Sequence, residues 1–596
     1  MRRALVAAQA VALGMIAMSA GPAAHSKSGY VPDGSAPSRS GAAVGQQDKP
    51  VTDVPRPFEV TAENLHFQHH RLRSGTPARA QLLPGPLEQM STDLRSFLVP
   101  SPTHPEYAGG VVLASRHGVV PVHDAAGKAL RYADADTELP ADQQVPVRPD
   151  TMFDLASVTK TFTTIAVLQQ AEAGRIDLDA PVATYLPAFA QNGKGDVTIT
   201  NLLTHTAGLP AWLPLYSDYP TPEQRLAAVL AVEPIAAPGE AYLYSDLSLI
   251  TLGMVIEKVT GQALDTVIAG GITGPLGMTD TMFNPPARLK DRIAATEAEP
   301  WAGRPMIRGE VHDENAWSLG GVAGHAGLFS TAHDLAILAR TLLNGGRYGH
   351  ARILRADTVR EMLVNRNAQF PGDSHGLGFE LDQRWYMDGL STPVTFGHTG
   401  FTGTSLVVDP MSDSFVILLT NRVHPTRDWG SNNPARRAVA RDLARALAVH
   451  PIEGDEAWFS GVGDARTVTL SMPAASGGAL SFGLWYDTEG GSDILSLEAS
   501  ADGGATWSPV PFSMRAGPVE TRTDGTISGF GGRRWHRATA ALPTAGPSGN
   551  GVLVRWRYAS DSLYQGRGVY VDDVRVDREP VADSAFASTG WQLSPN

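Results

Sequence analysis

Apolar positions follow two regimes along the chain, and the change falls near residue 450. Before it, runs with helical spacing alternate with short strand-like runs. The spacing predicts helices over Leu87 to Leu98, Leu155 to Ala173, Ser248 to Thr260, Ala332 to Asn344 and Pro434 to Val449. Gly109 to Ser115, Val119 to His123, Thr404 to Val408 and Phe415 to Thr420 read as strands. The last two are joined by Asp-Pro-Met-Ser-Asp, which reads as a hairpin turn. After His450 the helical period stops. Short alternating runs take over at Thr467 to Ser471, Ala479 to Tyr486, Ile494 to Ala499, Val552 to Tyr558 and Gly568 to Val576, separated by Gly- and Asp-rich turns. That texture predicts a β-sandwich, with a domain boundary near residues 450–457.

The N-terminal stretch has neither period. Arg2 and Arg3 precede an apolar run from Ala4 to Met18, and small residues continue to Ala24. Residues 1–24 are therefore expected to be a cleaved signal peptide. Residues 25–85 are rich in Ser, Gly, Pro and Gln and are expected to form a disordered leader. No later segment approaches the roughly 18 apolar residues of a membrane span, so no transmembrane segment is expected. The mature protein should be secreted or otherwise extracytoplasmic.

Composition sharpens this picture at three points. A chain of 596 residues exceeds one core, so two or three domains are expected. A net charge of −13 argues against a general nucleic-acid binder. The absence of cysteine removes disulfides, a thiolate nucleophile, a thiolate metal site and a lipidated cysteine anchor.

The positive charges carry the chemical clue. The chain has 41 Arg and only 7 Lys, so it uses Arg wherever a charge is enough. Lys160 lies inside an apolar helical stretch, where a charge is costly, and Lys, unlike Arg, can lose its proton when desolvated. It is the only Lys with a Ser three residues before it. Ser157 and Lys160, one turn apart, share a helix face near the helix start, where free N–H groups favour a developing oxyanion. This is a nucleophile with an adjacent base. A capping Ser and a snorkelling Lys would give the same spacing.

The surrounding run Phe153-Asp154-Leu155-Ala156-Ser157-Val158-Thr159-Lys160-Thr161 resembles the active-site helix of class C β-lactamases and their penicillin-binding-protein, esterase and peptidase relatives. The resemblance extends over roughly residues 85–450, through Leu202 to Pro210, Gly309 to Asn315, Gly320 to Asp334 and Asn421 to Thr426. It points to a branch containing a D,D-carboxypeptidase and an N-acetylmuramoyl-L-alanine amidase of cell-wall recycling. It implies an α/β domain over 86–450, an antiparallel sheet flanked by helices with a helical subdomain. Two tyrosines fit the family's Tyr-x-Asn motif, Tyr216 and Tyr244. Tyr244 is preferred, because Pro238-Gly239-Glu240 precedes it and a helix follows. Its phenol would share a proton with Lys160. Asp246 stands where Asn is usual; an added carboxylate would favour the charged lysine and shift weight to Tyr244. The third motif, Lys-Thr-Gly, is replaced by His398-Thr399-Gly400, with a histidine that would be positive only part of the time near neutral pH. The N–H groups of Ser157 and Phe401 would then form the oxyanion hole. Glu310, His312, Glu314, His424 and Arg427 are candidates to line the cleft, with Arg427 suited to a substrate carboxylate.

Two motifs are set aside. Gly372-Asp373-Ser374-His375-Gly376 lacks the strand before and the helix after that a nucleophile elbow needs. His312, Asp313 and Glu314 lack metal-ligand spacing, so no catalytic metal or other catalytic cofactor is expected. Residues 457–596 resemble the jelly-roll-like sandwich behind secreted metallopeptidases of the immune-inhibitor type, through Leu480 to Asp487, Ser500 to Trp507 and Gln565 to Val576. This module is expected to bind a cell-wall or glycan ligand or to stabilise; Asp572 and Asp573 are candidates for a structural Ca²⁺. The sequence thus predicts a secreted serine hydrolase acting on peptidoglycan stem peptides or muropeptides. An esterase or β-lactamase of the same family is the alternative, and a largely non-catalytic binding protein is a second one.

Overall fold

The computed structural model describes residues 60–544 and 551–596. The expected signal peptide and residues 25–59 of the expected leader lie outside the described residues.

The first domain is organised by one sheet. Helix α1 (Pro84–Ser96) leads into β1 (Gly109–Arg116) and β2 (Val119–Leu130). The chain then leaves the sheet for α2 (Thr159–Glu172), α3 (Asp246–Thr260) and α4 (Ala332–Leu343), with short helices and turns between them. It returns as β3 (Phe396–Thr399), β4 (Ser405–Asp409) and β5 (Ser414–Thr420), and closes with α5 (Asn433–Ala446). The strand order is β2-β1-β5-β4-β3, all antiparallel, so the first and last segments of the domain pair at the centre. Asp409 pairs with Ser414, as the hairpin reading of Asp-Pro-Met-Ser-Asp requires.

The central strands are buried on both faces, which explains their unbroken apolar runs. Val111, Leu113, Leu406 and Ile417 face the layer that contains α2, α3 and α4. Val112, Ala114, Val407 and Leu418 face α1 and α5 through Leu87, Leu94, Val439 and Leu443.

The leader expectation needs correction between residues 60 and 83. Arg73–Ser74 forms a short parallel strand against Val119 and Val120, and Ala80 and Leu82 are buried. These few apolar side chains could not make a core by themselves. They are ordered by docking on a domain built from residues far away, which a local composition cannot show.

After α5 the chain forms two packed sheets. The main strands are β6 (Thr467–Ala475), β7 (Gly478–Asp487), β8 (Ile494–Ser500), β9 (Phe512–Ala516), β10 (His536–Leu542), β11 (Val552–Ala559) and β12 (Gly568–Val576). One sheet runs β9-β10-β7-β12 and the other β8-β11-β6, each extended by short edge strands. Val552, Val554, Trp556 and Tyr558 alternate inward along β11 and meet Leu480, Phe482 and Leu484 of β7.

The sandwich is fastened to the first domain by buried charge. Arg533 donates to Asp409 Oδ2 at 2.6 Å and to the Leu390 carbonyl at 3.0 Å; Arg384 lies 3.5 Å from Asp487. Asp409 and Asp487 are fully buried. Removing one partner of such a pair leaves an uncompensated charge, which costs about 3–5 kcal/mol. Arg533→Ala is therefore expected to lower the unfolding free energy by about that amount. A change under about 1 kcal/mol in denaturant melts would mean the junction bears no load.

Asp572 meets the linker between the domains, and Asp573 pairs inside the sandwich. Asp572 Oδ2 accepts the amides of Ile452 (2.7 Å) and Glu453 (3.1 Å), while Asp573 pairs with Arg537 and Arg575. Their oxygens are used by the linker and by arginines.

Candidate active site

Ser157 and Lys160 lie at a backbone discontinuity. Phe153–Asp154 is a two-residue strand paired with Leu328–Ser330. Ala156 then takes φ +46°, and a 3₁₀ turn (Ala156–Val158) feeds α2. A positive φ at a non-glycine residue is costly and needs support. Asp154 supplies it: Oδ1 accepts the Ala156 amide at 2.8 Å and Oδ2 accepts the His312 amide at 2.7 Å. The turn puts the partly exposed Ser157 at the head of a buried helix.

Lys160 Nζ is 2.8 Å from Ser157 Oγ, 2.8 Å from Asp246 Oδ1 and 3.4 Å from the His325 carbonyl. Lys160 and Asp246 are each 1% exposed, so this is an ion pair out of water. The Tyr244 ring lies 4.8 Å from Nζ, and its hydroxyl hydrogen-bonds with Ser157. Burial, reinforced by the Asp246 carboxylate, pushes the Tyr244 phenol well above its usual range, although the Ser157 bond pulls the other way. Tyr244 is thus held protonated. The weight that the sequence reading moved to it as a base is not supported by this environment. Tyr216, the other candidate, is elsewhere: its amide donates to Asn315 and its ring packs on Trp212 and Trp301.

Strand β3 runs beside the turn that carries Ser157. Thr402 Oγ1 donates to the Asp154 carbonyl (2.7 Å) and Thr404 Oγ1 to that of Leu155 (3.0 Å), which staples the loop carrying Phe401 to the residues just before Ser157. A Cβ on Gly400 would fall 2.3 Å from the Leu155 carbonyl oxygen, so only glycine allows this approach. Thr399 is buried at the end of β3. His398 departs from expectation. Burial, with Lys160 adding repulsion, lowers it to about 3, and its Nδ1–H donates to the Thr399 carbonyl. It is neutral throughout the physiological range and provides no part-time positive charge.

The proposed cleft residues fall into a closed network. Arg427 donates to Glu297 (2.6 Å), Glu299 (2.7 Å) and Glu314 (2.7 Å), so three carboxylates already occupy it. The idea of Arg427 as a free receptor for a substrate carboxylate is corrected on that ground. His312 is buried, lies 2.7 Å from Glu297 and stacks on Phe401. Although burial opposes it, the Glu297 contact raises His312 above its ordinary value. Glu310 is exposed and accepts from Trp317 Nε1. His424 accepts the amides of Arg131 and Tyr132, a structural staple rather than a cleft position. Glu297, Glu299 and His312 could in geometry surround a cation, but Arg427 already provides that positive charge.

Two residues at the site escaped the sequence reading as members of it. His325 Nε2 lies 2.9 Å from Asp313 Oδ1, and this pair abuts Asp246. Against its burial, His325 holds the Asp313 carboxyl well below the usual range. His325 lies in the run GHAGLFSTAHD, and its position was legible only as part of that run.

Asp246 has a testable role. When Lys160 gives up its proton, Asp246 is left as a buried carboxylate without its counter-charge. Asparagine carries no such cost. Asp246→Asn is expected to change kcat/KM by at least about threefold at a fixed pH, and an unchanged kcat/KM would remove Asp246 from the proton path.

A serine hydroxyl, a buried lysine one turn on, a held phenol and a backbone loop stapled alongside are the kinds of group that acyl transfer by a serine hydrolase requires. The family described as Beta-lactamase matches residues 100–441, more than half of the chain. An Escherichia coli (strain K12) protein named "Putative D-alanyl-D-alanine carboxypeptidase" is 35% identical over 339 residues, covering 51% of this chain and 76% of that one. A protein of the same name from Salmonella typhimurium is 35% identical, covering 47% and 72%. Among solved structures, a hydrolase with promiscuous acyltransferase activity, EstCE1, aligns at 25% identity and TM-score 0.48, over 62% of this chain and 100% of its own. A penicillin-binding protein homolog from Caulobacter crescentus aligns at 22% and 0.47, over 62% and 99%. The chain belongs to the serine β-lactamase and penicillin-binding-protein family. It is a serine hydrolase, of a family that needs no cofactor. Residues 428–586 match the family described as Immune inhibitor A-like, MAM domain, whose start overlaps α5. Among the described residues, no single helix is long and apolar enough to cross a membrane.

Proposed function

We propose that the protein is an extracytoplasmic hydrolase that works through a Ser157 acyl-enzyme on amide bonds of peptidoglycan stem peptides or muropeptides. The observation that carries this reading is the 2.8 Å contact between Ser157 Oγ and a buried Lys160 Nζ, with the Tyr244 phenol against both. Lys160 in its neutral form takes the serine proton as Oγ attacks the carbonyl carbon. The Ser157 and Phe401 amides hold the oxygen. The Tyr244 phenol gives its proton to the leaving amine and is reprotonated from Lys160. Water then attacks the ester and releases the acid. The relatives named for D-alanyl-D-alanine carboxypeptidase support the peptide substrate.

One observation favours a second reading, an esterase. His398 is neutral where the family's third motif carries a lysine, and Arg427 is committed to glutamates, so neither group offers a free cation to a substrate carboxylate. The discriminating assay offers the protein a peptide ending in D-Ala-D-Ala and, separately, p-nitrophenyl butyrate. Release of free D-Ala with a lasting penicilloyl adduct supports the peptide reading. Ester turnover alone supports the esterase. Neither activity would leave the binding-protein alternative.

A further inference from the structure

One groove among the described residues is basic, on a protein whose net charge is −13. Its volume is about 870 Å³, and Arg71, Arg347, Arg352, Arg355 and Arg360 line it together with four histidines. It shares no residue with the active site. Asn344 at the end of α4 clamps the strap 66–72: its Oδ1 accepts the His70 amide (3.2 Å) and its Nδ2 donates to the His70 carbonyl (2.8 Å). The Tyr348 hydroxyl accepts the Leu72 amide. The hairpin Arg347–Tyr348 and Ala351–Arg352 forms another wall. Glycines allow the close fit. A Cβ on Gly345, at φ +68°, would meet the Phe67 ring at 2.7 Å; on Gly349, at φ +61°, it would meet the Arg71 guanidinium at 2.4 Å.

The charges in this groove are not balanced from within. Arg360 pairs with Asp357, and Arg355 lies 3.8 Å from Glu172. Arg71, Arg347 and Arg352 have no ion-pair partner among the described residues. Arg347 and Arg352 are moreover direct cross-strand partners, an arrangement that costs stability when the charges are alike. Charge that opposes the fold and is concentrated in a formed groove points to a ligand that offsets it.

We propose that this groove binds a chain of phosphate groups. Guanidinium forks match phosphate oxygens in pairs, and the volume exceeds what one small anion would fill. Nucleic acid is the less suited phosphate chain, because binding single strands relies on open aromatic faces. The Phe67 ring here is already covered by the Arg360 guanidinium at 5.0 Å.

The test is calorimetric titration of the whole protein with inorganic polyphosphate, orthophosphate and a single-stranded DNA of equal charge. Polyphosphate is expected to bind at least tenfold more tightly than the other two. Arg71→Ser/Arg347→Ser/Arg352→Ser should weaken it more than tenfold and make the salt dependence shallower by about two to three in log–log slope. Ester or peptide hydrolysis should be unchanged in this variant. Arg347→Glu provides a second arm, since it creates an opposite-charge pair with Arg352. It should raise the melting temperature while lowering polyphosphate affinity, opposite directions that a purely structural arginine cannot give. No polyphosphate binding, or binding undiminished in the triple variant, overturns the site. DNA binding as tight as polyphosphate overturns the assignment of a chain without bases.

Discussion

Ser157→Ala is expected to lower hydrolysis of the best substrate by about 10⁴- to 10⁶-fold while leaving the fold intact. The size follows from mechanism. Without Oγ no acyl-enzyme forms, and the remaining groups only orient water against the carbonyl. The intact fold follows from the contacts. Ser157 is partly exposed and its hydroxyl caps no helix. Lys160 keeps Asp246 at 2.8 Å and the His325 carbonyl when that hydroxyl is gone. Intact-mass spectrometry after a fluorophosphonate probe reads the result directly: one adduct on the native protein and none on the variant. An adduct retained by Ser157→Ala would place the nucleophile at another residue and sink the acyl-enzyme proposal. Equal melting temperatures, within about 1 kcal/mol of unfolding free energy, are needed for the comparison to concern chemistry rather than folding.

How much of this was legible beforehand depends on how local each signal is. The β4–β5 hairpin and the alternation along β11 follow from neighbours in sequence, and both stand as the pattern indicated. Ser157 and Lys160 share one helix turn, so their contact was also a local matter. The Lys160–Asp246 pair was foreseen only as a consequence of choosing Tyr244, since 86 positions separate the two residues. What failed was non-local. Arg427 looked like a free anion receptor because Glu297, Glu299 and Glu314 are far from it along the chain. His398 looked like a weak cation because sequence does not report burial. The amides of Ile452 and Glu453 reach Asp572 only in the fold, so those contacts were hidden too. In each case the donor or acceptor type was readable, but its partner was set by tertiary packing.

Lys160→Arg is expected to cost about 10²- to 10⁴-fold in kcat/KM although it keeps the positive charge. The argument rests on two demands made of one side chain. Asp246 is 1% exposed and needs a cation beside it; Ser157 needs a group that can accept its proton. Lysine meets both, because an amine can cycle between charged and neutral forms. A guanidinium meets only the first. The arginine is also larger, and fitting it among the buried residues of α2 costs about 1–3 kcal/mol. Lys160→Met fails the other demand: it leaves Asp246 as a lone buried carboxylate, at a cost of about 3–5 kcal/mol. The pair Lys160→Met/Asp246→Asn removes that stranded charge, so most of the lost stability should return while activity does not. Stability and rate would then separate, the first following the presence of a counter-charge and the second the presence of an ionisable amine. If the arginine variant kept more than a tenth of native kcat/KM, charge alone would suffice at this position, and a different group would have to take the serine proton. The Tyr244 phenol is a poor substitute, since burial and Asp246 both hold it protonated.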